Sequence, residues 1–202
     1  MTLIDNIWWT KKARIHAEKR LLTIDYYFKI LLVWFSFCSI AVSIYFLVYP
    51  QNKDIQIVLL IFSMIIFCLS CLIPSFQYKE RANLFRQCYL ALDKIGQNSG
   101  HETALAEQYQ GILTLCENHT EYDYYYAVIN EYFSLPKKIR EYSEKAASGE
   151  EIPEDHKKRI VTKVPSFSMY CKVISISFFK LFFFALGLLL PIIIFYIIWI
   201  LG

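Results

Sequence analysis

Residues 30–49 read ILLVWFSFCSIAVSIYFLVY, an apolar run without a charged side chain. Two further runs match it: IQIVLLIFSMIIFCLSCLIPSF at 55–76 and LFFFALGLLLPIIIFYIIWIL at 181–201. At about 1.5 Å of rise per residue, roughly 20 residues as a helix cross a hydrocarbon core about 30 Å thick. A small soluble core has no polar face with which to cover three such segments. Lipid offers no partner to a bare amide, so the runs are expected to be helices. The first run lies too deep in the chain to be a cleaved signal peptide.

The rest of the chain carries the charge. The 202 residues are 56% hydrophobic, and the net charge of +3 gives little support to nucleic-acid binding by bulk electrostatics. Lys11, Lys12, Arg14, Lys19, Arg20 and Lys29 precede the first run, and Lys79, Arg81 and Arg86 follow the second. The positive-inside rule then puts the N-terminus and the middle segment in the cytoplasm, with the short 50–54 turn and the C-terminus outside. The six cysteines are scattered and form no disulfide framework, which suits a reducing compartment.

Outside the runs, the periodicity is helical. Leu3, Ile4, Ile7 and Trp8 make a short apolar stripe, read either as an interfacial anchor or as packing against the cytoplasmic helices. Residues 78–95 are expected to continue the second span, with Leu84, Cys88, Leu92 and Ile95 on one face. A turn over 96–100 precedes a helix from 102 to 118, aligned on Leu105, Tyr109, Ile112 and Cys116. Thr120 with Asp123 is a capping box for the next helix, which carries Tyr122, Tyr126, Ile129 and Phe133 and ends at Pro136. The expected fold is an all-α membrane protein. Its parts are an N-terminal cytoplasmic amphipathic helix (1–29), a two-span transmembrane hairpin (30–77) and a cytoplasmic helical bundle (78–136). A charged linker (137–172) and a third, C-terminal transmembrane helix (173–202) follow. Lys157, Lys158, Arg159 and Lys163 form a basic cluster suited to an anionic membrane surface.

Catalytic patterns are missing. There is no phosphate-binding glycine loop, GxSxG elbow, HExxH or EF-hand loop. Cys68 and Cys71 lie mid-run without a second pair, and Cys116, Glu117 and His119 lack a fourth metal ligand. Glu117 and His119 also lack a nucleophile at recognisable spacing. No enzymatic activity, metal or cofactor is expected.

The membrane runs hold one polar pattern. Gln56, Ser63, Ser70 and Gln77 recur every seven residues in the second; Ser36 and Ser43 do so in the first, with Ser39 beside them. A seven-residue repeat draws each set along one seam of a gently supercoiled helix. The seams either let the two spans pack and hydrogen-bond or line an aqueous path in a homo-oligomer, since two or three spans cannot enclose a pore. The third run has no such stripe and reads as an outer, lipid-facing helix with a kink at Pro191.

Several local words resemble a known family. Trp9-Thr10-Lys11-Lys12-Ala13-Arg14 and Ala17-Glu18-Lys19-Arg20-Leu21 resemble the opening of SLATT domains, the SMODS and SLOG-associating two-transmembrane effectors of bacteria. The tight hairpin, Arg81-Ala82-Asn83 leading to Cys88-Tyr89, and Glu117-Asn118-His119-Thr120 leading to Asp123-Tyr124 are similar too. The third span resembles the subfamily often encoded beside reverse transcriptases. The resemblance implies an effector of the bacterial inner membrane in anti-phage conflict and abortive infection, oligomerising into a pore when a linked sensor fires. That sensor would be a reverse transcriptase or a nucleotide-second-messenger synthase. By the same analogy Arg14, Arg20, Arg81, Glu117, Asn118, His119 and Asp123 are gating positions, with helix-to-helix pairing as the plainer role. A non-conducting adaptor tethering a soluble partner is the main rival.

Overall fold

The computed structural model describes residues 2–48, 53–97, 102–150, 153 and 160–201. Seven helices are described: α1 (Leu3–Val48), α2 (Lys53–Ser75), α3 (Tyr78–Gly96), α4 (Glu102–Leu113), α5 (Glu121–Ser134), α6 (Lys137–Ala147) and α7 (Phe167–Leu201). Among the described residues there is no strand, and the protein is an all-α membrane protein. The helices divide into two units. One takes the described residues of 1–21 and 80–177, the other those of 22–79 and 178–202. The connection at 50–52, residues 98–100, and Lys157, Lys158 and Arg159 lie outside the described residues.

The first unit is a helical bundle. Its core joins Ile7 of α1, Leu92 and Ile95 of α3 and Leu105 of α4, with Leu3, Tyr109 and Ile112 packed around them. Ile7 and Leu3 thus serve bundle packing, while Ile4 stays exposed. Further along α1, Trp9, Ala13, Ala17 and Leu21 are buried at near-helical spacing. Alanine at two of these positions lets the neighbouring helices come close. On α3 the buried face is Ala82, Phe85, Cys88, Leu92 and Ile95. Leu84, expected on that face, is 44% exposed, because Phe85 takes the inward position one residue on.

The helix ends correct the expected boundaries. The second span does not run unbroken into the bundle. Pro74 gives no N–H to the Ser70 carbonyl, α2 stops at Ser75, the Phe76 and Gln77 amides turn back to Ile73 and Pro74 carbonyls, and Gln77 turns the chain with a φ of 50°. A left-handed glutamine costs about 1–2 kcal/mol, so the break is imposed by its surroundings rather than by local preference. Helix α4 ends at Leu113, short of the expected Asn118. The Leu115 amide turns back to the Ile112 carbonyl at 3.2 Å, and the Thr114 hydroxyl donates to the Gly111 carbonyl at 2.7 Å. On α5 the buried positions are Asp123, Ala127, Val128 and Tyr132, whereas Tyr126 and Phe133 of the expected stripe are exposed.

The stretch expected to open the charged linker folds instead into α6, which buries Ile139 and Ser143 one turn apart. Pro136 starts it, as a fixed φ suits a helix start. The Tyr132 hydroxyl donates to Glu144, and the Arg140 guanidinium lies 5.7 Å from the Tyr132 ring and 5.4 Å from that of Phe133. A charged helix can therefore dock through a small apolar face and its aromatic neighbours. The last helix begins at Phe167, ahead of the expected residue 173.

The second unit holds α2 and the apolar lengths of α1 and α7, and all three helices are long and apolar enough to cross a membrane. Its outer surface is aliphatic and aromatic, with Val33, Phe37, Leu60, Phe67, Leu181 and Ile193 exposed. Such a surface is at home in lipid. The third span exposes apolar side chains and also packs against its neighbours. A Cβ at Gly187 would stand 3.1 Å from Leu31 Cδ2, so α7 and α1 are in close contact there and a larger residue requires Leu31 to shift. Phe184 stacks on Tyr27 with ring centroids 4.4 Å apart, and Phe62 of α2 meets both Phe35 and Phe195. Pro191 is buried. It offers no N–H to the Gly187 carbonyl four residues back; the Trp34 indole N–H donates to the Leu188 carbonyl at 2.9 Å.

Candidate functional site: an arginine clamp on the α4–α5 connection

The connection between α4 and α5, residues 114–120, holds Glu117, Asn118 and His119, and the helix ends on either side of it meet Arg14 and Arg20. Thr120 caps α5: its hydroxyl accepts the Asp123 amide at 3.4 Å, while its own amide donates to Asp123 Oδ2 at 3.0 Å. Asp123 stands at the third position of the helix, where a carboxylate also complements the helix dipole. The expected capping box is present.

The Asp123 carboxylate does more than cap. Arg20 of α1 reaches it as a fork, Nε to Oδ1 at 2.8 Å and Nη2 to Oδ2 at 3.0 Å. The Thr120 hydroxyl donates to Oδ2 at 2.7 Å. Asp123 is 0% exposed, so this ion pair escapes most solvent screening. Four donors satisfy one buried carboxylate.

Arg14, six residues before Arg20 on α1, is also 0% exposed. Its acceptors are backbone carbonyls: Nη1 faces Ile112 O and Nη2 faces Leu113 O, each at 3.5 Å. These carbonyls end α4, where the aligned peptide dipoles leave a partial negative charge. The guanidinium thus serves as the cap that the α4 sequence does not carry itself. The Ile112 carbonyl is a shared acceptor, also taking the Leu115 amide and the Cys88 thiol.

The third arginine works in the open. Arg81 of α3 grips Glu117 through Nε and Nη2 at 2.9 and 2.7 Å, with a further contact to Oε2 at 2.8 Å. Both side chains are more than a third exposed, so the pair is worth at most about 1 kcal/mol. His119 is half-buried. Burial holds its pKa below 6.5, Arg14 pushes the same way, and Asp123 offsets part of the effect. The imidazole is therefore neutral at pH 7. Asn118 is exposed and stands outside these ion pairs.

Other contacts tie α1 to the bundle without an obvious sign in the sequence. Lys12 pairs with Glu131 at 2.7 Å, Lys11 pairs with Asp93, and the Thr10 and Tyr109 hydroxyls meet at 2.8 Å. Trp9 donates its indole N–H to Thr162 at 2.9 Å, and Thr162 donates to Asp5 at 2.8 Å. Lys163 donates to Tyr124 and lies 4.6 Å from its ring centroid and 5.6 Å from that of Trp9. Of the basic cluster, the described Lys163 is thus bound among aromatic rings in the bundle.

In the second unit the serine seams show mostly local bonds. Ser36, Ser43, Ser63 and Ser70 donate to Leu32, Ser39, Leu59 and Phe67 carbonyls at 2.7–2.9 Å. One contact joins the seams: the Ser39 and Ser63 hydroxyls lie 3.4 Å apart. Gln56 and Gln77, at either end of the α2 seam, are exposed.

Neither a curated protein nor a solved structure matches the chain. A protein-family model does, and it covers residues 1–197. All three arginines, their partners, the first two apolar runs and most of the third therefore fall within the matched region. The chain belongs to the SMODS and SLOG-associating 2TM effector domain family 5.

Proposed function

We propose that this membrane effector acts in bacterial anti-phage conflict by assembling from several copies and opening a conducting path through the inner membrane. The observation that carries the reading is the place of the clamp. Arg20 and Arg81 stand at the margins of the bundle unit, whose segments run from 1 to 21 and from 80 to 177. Both grip the 114–123 region. A ligand or partner that displaced this connection would release the roots of α1 and α3 together.

Assembly follows from the α2 seam. Ser63 and Gln56 remain exposed on a unit of three helices, too few to surround a lumen. A second copy covers such a stripe, or water does once several copies form a ring. Orientation follows the basic residues, with the bundle on the cytoplasmic side. The activating partner is a reverse transcriptase or a nucleotide-second-messenger system, and no direct nucleic-acid contact is invoked. Co-expression with the activating partner should depolarise cells, and Ser63→Leu with Ser70→Leu should change conductance in liposomes. Cell death with an intact membrane potential would exclude the conducting path.

One observation favours a second reading, in which the protein only tethers a soluble partner. Tyr126 and Phe133 are exposed on α5, a surface that could receive another protein. Planar-bilayer recording with the purified protein separates the two, since a tether carries no current in any assembly state.

A further inference from the structure

Consecutive residues at the start of α5 reach different neighbours. Successive side chains on a helix point about 100° apart, so one turn fans out in every direction. Asp123 takes the Arg20 fork from α1. The Tyr122 hydroxyl meets that of Ser177 on α7 at 3.1 Å. Glu121 and Tyr125, one turn apart on the same face, both meet Lys172 of α7. Its ammonium lies 3.4 Å from the carboxylate and 5.2 Å from the ring centroid. Tyr124 accepts from Lys163, in the segment 160–166 that runs into α7 without helix of its own.

Residues 160–163 lie across the bundle as a strap. The Val161 amide donates to the Ser143 hydroxyl of α6 at 3.3 Å. Thr162 bridges Trp9 and Asp5 of α1, and the Lys163 ammonium rests against the Tyr124 and Trp9 rings. Side chains from three helices thus hold the strap, and Phe167 begins the third span just beyond it. All of these contacts belong to the bundle unit.

We propose that the first turn of α5 couples the clamp to the third span, so that displacing Asp123 from Arg20 releases the strap and the root of α7 together. Asp123 is both the anchor and the cap of that turn. Without it the turn has lost its partners for the free amides and frays. Fraying carries Tyr122 away from Ser177 and Tyr124 away from Lys163. The pair that remains, Lys172 with Glu121, is exposed on both sides and too weak to hold the root by itself. The restraint on α7 is therefore locked from another helix. Such coupling is reciprocal: loosening the strap weakens the seat of Asp123. It is a property of the bundle and is independent of whether the protein conducts.

Hydrogen–deuterium exchange with mass spectrometry, on the purified full chain in detergent, tests the coupling. Arg20→Lys keeps the charge but not the fork. It should speed exchange of the 167–177 amides by about tenfold, while the 85–95 amides of α3 keep the parental rate. Tyr124→Phe leaves Arg20 and Asp123 untouched and retains the ring. It should speed the same 167–177 amides about fivefold, the effect of one lost hydrogen bond. Lys11→Ala breaks a different pair between α1 and α3 and should leave 167–177 unchanged. Parental exchange at 167–177 in Tyr124→Phe would overturn the proposal. So would a rise in Arg20→Lys that stays within 114–128 or spreads evenly over the bundle, or an equal rise at 167–177 in Lys11→Ala.

Discussion

Arg20 and Asp123, 103 residues apart in the chain, are joined by two parallel hydrogen bonds of 2.8 and 3.0 Å around a carboxylate without solvent exposure. The same carboxylate closes the capping box of α5. One side chain thus fixes both the start of a helix and its attachment to α1.

Removing either partner strands a charge. Arg20→Ala should destabilise the bundle by about 3–5 kcal/mol, as breaking a buried pair does. Asp123→Ala should cost as much, with about 1 kcal/mol of it from the lost cap. Arg20→Lys should recover little, because an ammonium cannot reproduce the fork. Thermal unfolding in detergent measures all three. A loss under about 0.5 kcal/mol for Arg20→Ala would mean that the pair is not holding the helices together.

The exposed pair should behave differently. A double-mutant cycle on Arg81 and Glu117 should return a coupling of about 0.2–1 kcal/mol, shrinking as salt is raised. If Arg81 gates the spans, Arg81→Ala should change activity far more than it changes stability. Conductance and melting are measured on the same preparation.

His119 gives the bundle a pH dependence of defined sign. Its folded pKa is lowered from 6.5, so the folded state binds fewer protons than the unfolded chain as the pH falls below that value. Stability is therefore fully present above pH 6.5 and declines on acidification until the folded pKa is passed. His16, lowered first by burial and next by Lys19, adds to the same trend. His119→Gln should flatten the unfolding midpoint measured between pH 7.5 and 5, leaving the smaller slope due to His16. An unchanged slope would show that His119 is not shielded in solution.

Within the second unit, Trp34→Phe removes the donor to Leu188 while keeping an aromatic ring. The expected cost is about 1 kcal/mol, the size of an interhelical hydrogen bond in a membrane. Gly187→Leu should cost more, because its side chain must displace Leu31. Denaturation with sodium dodecyl sulfate from mixed micelles resolves the order. Equal midpoints for Gly187→Leu and the parent would mean that α7 is not seated on α1 at Gly187.

Much of the architecture could be read locally. Apolar run length identified the spans, and Thr120 with Asp123 announced the start of α5, because both signals arise among neighbouring residues. The words around Arg14, Arg20, Arg81, Glu117 and Asp123 pointed to the family. Periodicity failed where a helix is charged yet docks by a narrow face, as in α6, and where large residues outnumber inward positions, as with Phe133 on α5.

What the chain's order alone determined is its helical, membrane-spanning character, since hydropathy and hydrogen-bond satisfaction in lipid depend on composition over some 20 residues. Only the tertiary structure assigned the partners. Arg20 was matched to Asp123, Arg14 to the anonymous carbonyls of Ile112 and Leu113, and Trp34 to the carbonyl of Leu188. Backbone acceptors have no residue identity, and pairing across a hundred residues is decided by which helix faces meet. Neither is written in local sequence.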